Sequence, residues 1–401
     1  MCAAGTRTSA ASGVARADRR AWAALAALAL GAFSYVTTEL LPIGLLTSIA
    51  DDLHRSVSSV GLLVSGYAVV VVVVSLPLTK FTRAVPRRTL LAGMLAVLVV
   101  AALGCALAPT YELLFVARLV TALTQALFWA VVGSATVHLF PPALRGRALS
   151  LLFMGSSMAP VVGVPAGTWL GQHYGWRTAF GAMAVLAALT CAAVVTLLPG
   201  NSGGDDLLAA GDEPDRRSYA VLVVVTAVAI TGGMTVFTYI TPFLLEVTAF
   251  SKPSLAALLS VSGIAGLFGA FAVGPFLGRR SRGVVLVTLL TQGVTVLGLF
   301  ALGRHKLAVV VLLAVLGATI SALATAFNAR ALHVAPGRTD MASAGLSSAY
   351  NVGIATGSFL GGAVVEHYGV RSVALAGALF VLGALALATV EPALTRRSAD
   401  D

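Results

Sequence analysis

Of the sixteen acidic residues in this chain, Glu39 alone falls well inside a long apolar run, while Glu246 and Glu366 stand at the ends of such runs. A carboxylate in hydrocarbon costs about 2.5–3.5 kcal/mol on insertion scales, so it faces a cavity or a partner. Arg118 is a candidate partner. Counting about 1.5 Å per residue, Glu39 lies about 25 Å along its helix from Trp22, and Arg118 lies about 8 Å down an antiparallel helix from Leu113, so their depths overlap. Removal from water favours the neutral acid, whereas a nearby guanidinium favours the anion. A small change in their separation would therefore move a proton on or off. This makes Glu39 the candidate protonation site, held ionised by Arg118 until protons arrive from outside. The alternative is a permanent ion pair that fixes two helices.

Other chemistries find no support. Lys80, Lys252 and Lys306 are followed by Phe, Pro and Leu, so no phosphate-cradling GKS or GKT loop exists and ATP is not the energy source in the usual way. The chain has no HExxH pair and no GxSxG elbow, and its six histidines are not spaced for a metal grip on one helical turn. His138 and His333 fall near helix ends. Cys2, Cys105 and Cys191 are isolated, with neither a metal spacing nor an evident disulfide. No enzyme activity, cofactor or metal is implied.

The elements that would position Glu39 and Arg118 are membrane helices. With 58% hydrophobic and 10% charged residues, the 401-residue chain departs from the roughly 25% charge of a soluble domain. Spanning hydrocarbon takes about 20 apolar residues. Twelve such segments are read, at 21–48, 57–79, 89–108, 112–137, 148–171, 177–198, 219–246, 254–277, 283–302, 307–333, 341–366 and 370–390. They are long and rich in Ala, Leu and Val, unlike the alternating strands of a barrel. The first continues past any short signal core, so cleavage is not expected. Of the 26 Lys and Arg, nineteen fall at one side of these spans; Arg55, Arg177, Lys252, Arg304, Lys306 and Arg371 fall at the other. That asymmetry puts both termini in the cytoplasm of a cell whose inner (plasma) membrane holds the protein, and accounts for the net charge of +10 without nucleic acid.

The chain is also duplicated. His173-Tyr174-Gly175-Trp176-Arg177 returns as His367-Tyr368-Gly369-Val370-Arg371, displaced by 194 (367 − 173), and Gly163 and Gly167 meet Gly357 and Gly361 at the same displacement. A second echo, Phe33-Ser34-Tyr35-Val36-Thr37 with Phe237-Thr238-Tyr239-Ile240-Thr241, is displaced by 204 (237 − 33) and suggests that Tyr35 and Tyr239 are repeat-related. The organisation read is a basic tail 1–20, a six-helix bundle 21–198, an acidic cytoplasmic linker 199–218, a second bundle 219–390 and a tail 391–401. Two parallel halves around a midplane site form a transporter architecture. The fifth span places Gly155, Ala159, Gly163, Gly167 and Gly171 every four residues around Pro165, and the eleventh repeats the device from Gly345 to Gly361. Small residues at this spacing let backbones approach in lipid, as tight packing, as a sliding contact between halves, or as both. Pro42, Pro165 and Pro242 lie within spans and are expected to bend or break them.

These residues resemble the major facilitator superfamily, in its twelve-helix drug and sugar efflux branch, over nearly the whole chain. The run from Gly155 through Gly163-Val164-Pro165-Ala166-Gly167 is similar to that branch's antiporter signature. Thr37-Thr38-Glu39-Leu40-Leu41-Pro42-Ile43-Gly44-Leu45-Leu46 is similar to the first helix of bacterial sugar-efflux and chloramphenicol-efflux proteins, and Phe128-Trp129 and 173–180 point the same way. Arg118 matches the arginine of the proton-coupling signature, although Ala122 replaces its glycine. The loop signature after the second span survives only as 80–88, and its counterpart 274–282 also lacks the acidic member.

The resemblance implies an all-α membrane protein, with two pseudo-symmetric six-helix bundles in the major facilitator fold. It also implies proton-coupled efflux of sugars or sugar-like amphipathic solutes, with a chloramphenicol-type drug exporter as the runner-up, and a monomer. Tyr35 and Tyr239 belong to helices that line the cavity in that family, and the fourth, tenth and eleventh helices add Gln125, Trp129, Asn328, Tyr350 and Asn351. These ring faces and hydrogen-bonding groups suit a sugar or a neutral amphipathic drug, although each residue could equally serve helix packing. A sensor or scaffold that kept the fold but lost transport is the reading from another class.

Overall fold

The computed structural model describes residues 5–82, 85–199, 215–277, 280–335 and 339–396. Most of the linker and residues 397–401 therefore lie outside the described residues, as do Cys2 and Arg279.

Long apolar runs with internal hydrogen bonding give a structure that is helical between its loops. In chain order the helices are α1 (Gly5–Asp52), α2 (Val57–Phe81), α3 (Arg87–Ala106), α4 (Tyr111–His138), a composite α5 (Pro142–Met158, Ala159–Gly163 and Val164–Tyr174) and α6 (Trp176–Leu197). The second half contains α7 (Arg216–Phe237, continued by Ile240–Pro242 and Phe243–Val247), α8 (Leu255–Val273), α9 (Ser281–Leu302), α10 (Lys306–Val334), α11 (Thr339–Tyr368) and α12 (Ser372–Arg396). Among the described residues, eleven helices are long and apolar enough to cross a membrane by themselves. The expected twelfth span is α11. It is long enough, but five glycines and four serines dilute its hydropathy.

Helix starts follow the local sequence. Ser56 caps α2 by accepting from the Ser59 amide, Thr110 caps α4 through Leu113, and Asp215 caps α7 through Arg217 and Ser218. Two wide π turns mark the prolines: Ala159–Gly163 contains Pro160 and precedes Pro165, and Phe243–Val247 follows Pro242. Pro42 is carried within continuous α1 without a break.

The glycine ladders pack helices within each half. In the first, Gly155, Gly163, Gly167 and Gly171 of α5 face Ala29, Thr37, Leu41 and Leu45 of α1. In the second, Gly345, Gly353, Gly357 and Gly361 of α11 face Tyr219, Ala227, Thr231 and Thr235 of α7. Each glycine meets the residue 126 positions earlier (155 − 29 and 345 − 219) in both halves. The ladders are thus parallel helix seams within each half, the tight-packing reading.

This shared register also corrects the second echo. If α5 and α11 correspond at 194 and both keep the same register on their partners, α1 and α7 correspond at 194 as well. Tyr35 is then matched by Ala229, and Tyr239 by Leu45. The echo displaced by 204 is local similarity of composition.

The pentapeptide repeat has a structural cause. Gly175 and Gly369 turn the chain between α5 and α6 and between α11 and α12 with φ of +87° and +80°, values that favour glycine. The arginines two residues later reach back: Arg177 donates to the Ala108 carbonyl at the end of α3, and Arg371 to that of Phe300 in α9. At the opposite end Arg88 donates to the Val195 carbonyl and Arg282 to those of Ala388 and Thr389, again 194 apart.

Packing is asymmetric along the helix axes. At the end carrying the 52–57 turn, one apolar core joins both halves, with Leu41, Leu45, Val60 and Leu63 beside Tyr239, Phe243, Leu255 and Leu316. At the end carrying Arg20 and Arg216 the core divides, with Leu28, Leu95, Phe128 and Leu152 in one half and Leu222, Leu289, Phe327 and Leu346 in the other.

Candidate functional site

Glu39 sits on α1 where α2 and α4 pack against it. Its side chain is partly exposed, while the residues around it are buried. Gln125 of α4 donates its amide to Glu39 Oε2 at 2.6 Å, and the Gln125 amide oxygen accepts from the Tyr67 hydroxyl of α2. Arg118 is fully buried one helical face away. Its guanidinium donates to the carbonyls of Thr38 at 2.5 Å and Glu39 at 2.9 Å, and lies 4.4 Å from the centre of the Tyr67 ring.

The depth match between Glu39 and Arg118 therefore appears in the fold, but the contact differs from the expected one. The arginine holds the backbone of the acid's own turn, and an amide holds the carboxylate. The physical reason is rotation about the helix axes, which residue counting cannot supply. Tyr67 completes the cluster and is absent from the sequence-based candidates. The available signal is that Tyr67 is the one aromatic residue in the run 57–79.

The other candidates divide into two groups. Tyr35 is fully buried, donates to the Met94 carbonyl at 3.0 Å and packs its ring 4.6 Å from Phe128. Tyr239 is equally buried at the junction of the halves and donates to the Ser358 carbonyl at 3.0 Å. Both hydroxyls are committed to helix packing in this geometry. Trp129 is partly exposed and stacks on Phe153 at 6.2 Å. Asn328 and Asn351 bond back to their own helices, at Ala324 and Ser347. Tyr350 lies beside Phe327, and its buried hydroxyl has no partner among the described residues. A hydrogen-bonding group so placed is available to a solute or a water.

A second unpaired group lies outside the sequence-based candidates. Gln292 of α9 is buried with its amide oxygen unsatisfied, against a cavity of about 20 Å³ lined by Ile230, Gly233, Met234, Ile320 and Leu323. By the 194 register Gly233 is the counterpart of Glu39, so the second half has empty space where the first carries its acid. Arg118 likewise corresponds to the leucines of α10 near Leu312. The ionisable cluster belongs to one half alone. Among the described residues no group of His, Cys, Asp and Glu could hold a metal.

Hydrogen bonds join the halves on the shared-core side. Thr241 donates to the Ile43 carbonyl, Ser358 to that of Gly61, Gln172 to that of Lys252 and Ser58 to the Glu366 carboxylate, while Lys252 pairs with Asp51. Gly263 of α8 lies directly against Pro160 in the π turn of α5.

The family model described as Major Facilitator Superfamily matches residues 27–303 and 222–400. The chain belongs to the major facilitator superfamily. Among curated proteins it is similar to a probable sugar efflux transporter of Mannheimia succiniciproducens, 33% identical over 367 residues that cover 90% of this chain and 91% of that one. A protein of the same description from Pasteurella multocida is 32% identical over 375 residues, covering 92% of each. Among solved structures, a bacterial homolog of the human lysosomal transporter Spinster, inward-facing and unoccupied, superposes with a TM-score of 0.74 at 15% identity, over 94% of this chain and 98% of that one. A point mutant of the nucleoside transporter NupG also gives 0.74, at 13% identity over 93% and 100%. This superfamily member is therefore a multi-pass membrane protein and a secondary transporter of small solutes, not an enzyme.

Proposed function

We infer that this transporter exports small sugars or sugar-like solutes in exchange for protons, with Glu39 as the proton carrier. The observation that carries this reading is the isolated carboxylate within the first span, partly open and bonded by Gln125, beside a buried cation that steadies its turn. Such a group is expensive in a membrane and is retained where it does work. The curated relatives, described as probable sugar efflux transporters, support the solute class. Trp129 stacked on Phe153, with the free hydroxyl of Tyr350 in the other half, suits the apolar face and hydroxyls of a sugar ring. The same ring pair favours an amphipathic aromatic drug as the second solute class.

The excess of Lys and Arg at the end where the cores divide supports a cytoplasmic position for that end and for both termini. The conformation described is then open inward and sealed outward. Alternating access would transfer the seal from the outer to the inner side as the six-helix halves rock. The protein acts as a monomer in this scheme, since each chain carries its own proton site and both halves.

The test uses purified protein in liposomes with an imposed pH gradient and a panel of radiolabelled monosaccharides, galactosides and chloramphenicol. Glu39→Gln keeps an acceptor for the Gln125 amide, so folding is retained. Solute counterflow should persist while gradient-driven accumulation drops at least tenfold. Unchanged accumulation would remove Glu39 from the role, and absence of flux for every solute would favour the sensor or scaffold reading.

A further inference from the structure

The hydrogen bonds at Glu39 form a chain with a direction. Tyr67 has one proton and gives it to the Gln125 oxygen, and Gln125 then has only its NH2 end to offer, which it gives to Glu39 Oε2. Every donor points toward the carboxylate, which is the arrangement an anion requires. A proton on Oε2, the oxygen that the amide now holds, would call for the reverse. Its own O–H would seek the amide oxygen, the amide would turn over, and its NH2 would face the tyrosine oxygen. Tyr67, 1% exposed and with its ring under Arg118, would then have to place its proton on a new acceptor within a packed interior. That is unfavourable, because a buried donor left unpaired loses its hydration without compensation.

We propose that Tyr67 is a positioning residue that locks the Gln125 amide in its anion-binding orientation and thereby weakens the hold of Glu39 on a proton. This rests on Glu39 being the proton carrier. Three parts share the task. Arg118 fixes the backbone turn, Gln125 touches the acid, and Tyr67 decides which end of Gln125 does so. The charged and titratable groups in the neighbourhood are Tyr67 from α2, Arg118 from α4, the buried Cys105 thiol from α3, which interacts with both, and Tyr35 of α1 itself, which interacts with Tyr67. α5, α6, α7 and α8 also pack on α1, but among the described residues no hydrogen bond or ion pair from them reaches the Glu39 carboxylate. When the proton is released, the chain re-forms in the direction seen. The amide therefore acts as a two-position element whose preferred position is set by a hydroxyl one residue removed from the acid.

The experiment is an infrared pH titration of the full-length protein in detergent, which needs no solute. The protonated-carboxyl band absent from Glu39→Gln is the signal of Glu39, and its midpoint is compared in wild type and Tyr67→Phe. Phenylalanine keeps the ring beneath Arg118 and removes only the donor. The midpoint should rise by about half to one pH unit, a three- to tenfold gain in proton affinity. In a Gln125→Leu background Tyr67→Phe should shift nothing further. An unmoved midpoint in Tyr67→Phe overturns the proposal. Should that variant fail to fold, Tyr67→Leu decides, since it removes the same donor and must also raise the midpoint. If no band is missing from Glu39→Gln, the proton-carrier reading fails and this inference falls with it. If the band titrates but ignores Tyr67, only this inference falls.

Discussion

Gly353 lies so close to Ala227 that a β-carbon on the glycine would stand 2.7 Å from the alanine's carbonyl oxygen. The atom in the way is backbone, so neither side chain can yield, and the same seam recurs between α5 and α1. Gly353→Ala should lower stability by about 1–3 kcal/mol, the cost of overpacking. Gly133→Ala on α4, where nothing lies within 4 Å, should be neutral or slightly stabilising. Thermal unfolding in detergent distinguishes them, and equal melting temperatures would refute the seam.

The paired arginine clamps predict matched behaviour in the two halves. Arg177 and Arg371 each bond one carbonyl through two nitrogens, at 3.2 and 2.9 Å for Ala108 and at 3.0 and 2.8 Å for Phe300. Lysine carries the charge but not the fork. Arg177→Lys and Arg371→Lys should each cost about 1–3 kcal/mol, in similar amounts, since lysine keeps the charge that faces Asp52 beside Arg177. Protease resistance of the folded protein would show whether the two losses match.

Asp215 gives a pH signature outside the membrane. The Ser218 hydroxyl, followed by the Ser218 and Arg217 amides, holds its carboxyl below the usual carboxylate range. A lowered folded value means that the cap's contribution is complete above the unfolded value near 3.8 and is lost as pH falls through that region. Asp215→Asn should therefore flatten the decline in stability below about pH 4 relative to wild type. Asp215→Ala should cost about 1 kcal/mol at neutral pH. A decline of the same steepness in Asp215→Asn would exclude the cap as its source.

The seal between halves can be locked. With Cys2, Cys105 and Cys191 replaced by Ala, Ser58→Cys and Glu366→Cys place thiols where a hydroxyl and a carboxylate now bond. Oxidation should form a cross-link and halt solute flux, and reduction should restore it. Flux that continues in fully cross-linked protein would show that these helices never separate.

Much of this architecture is readable from the chain, and the failures share a cause. Span lengths and the ladder of glycines follow from local composition, so all the expected helices appear, α11 included despite its dilution by serine and glycine. The depth of Glu39 and Arg118 follows from counting along two helices. Which way each side chain points depends on how the helices are turned about their axes. That is why counting pairs Arg118 with the carboxylate and not with the carbonyls of its turn, and why a place on a helix that the resemblance implies is cavity-lining does not keep the Tyr35 hydroxyl from reaching Met94. The echo between 33–37 and 237–241 misleads because short aromatic and threonine strings recur readily in membrane helices. Only a constant spacing between packed partners separates it from the true repeat.

The continuous core on one side and the divided cores on the other give the molecule a default posture. Parting the joined side requires wetting aliphatic and aromatic surface along with breaking a handful of polar links, whereas the divided side asks for little. Left alone, the carrier should spend most of its time waiting to load, and its turnover should be governed by how often bound cargo makes the opposite posture comparably cheap.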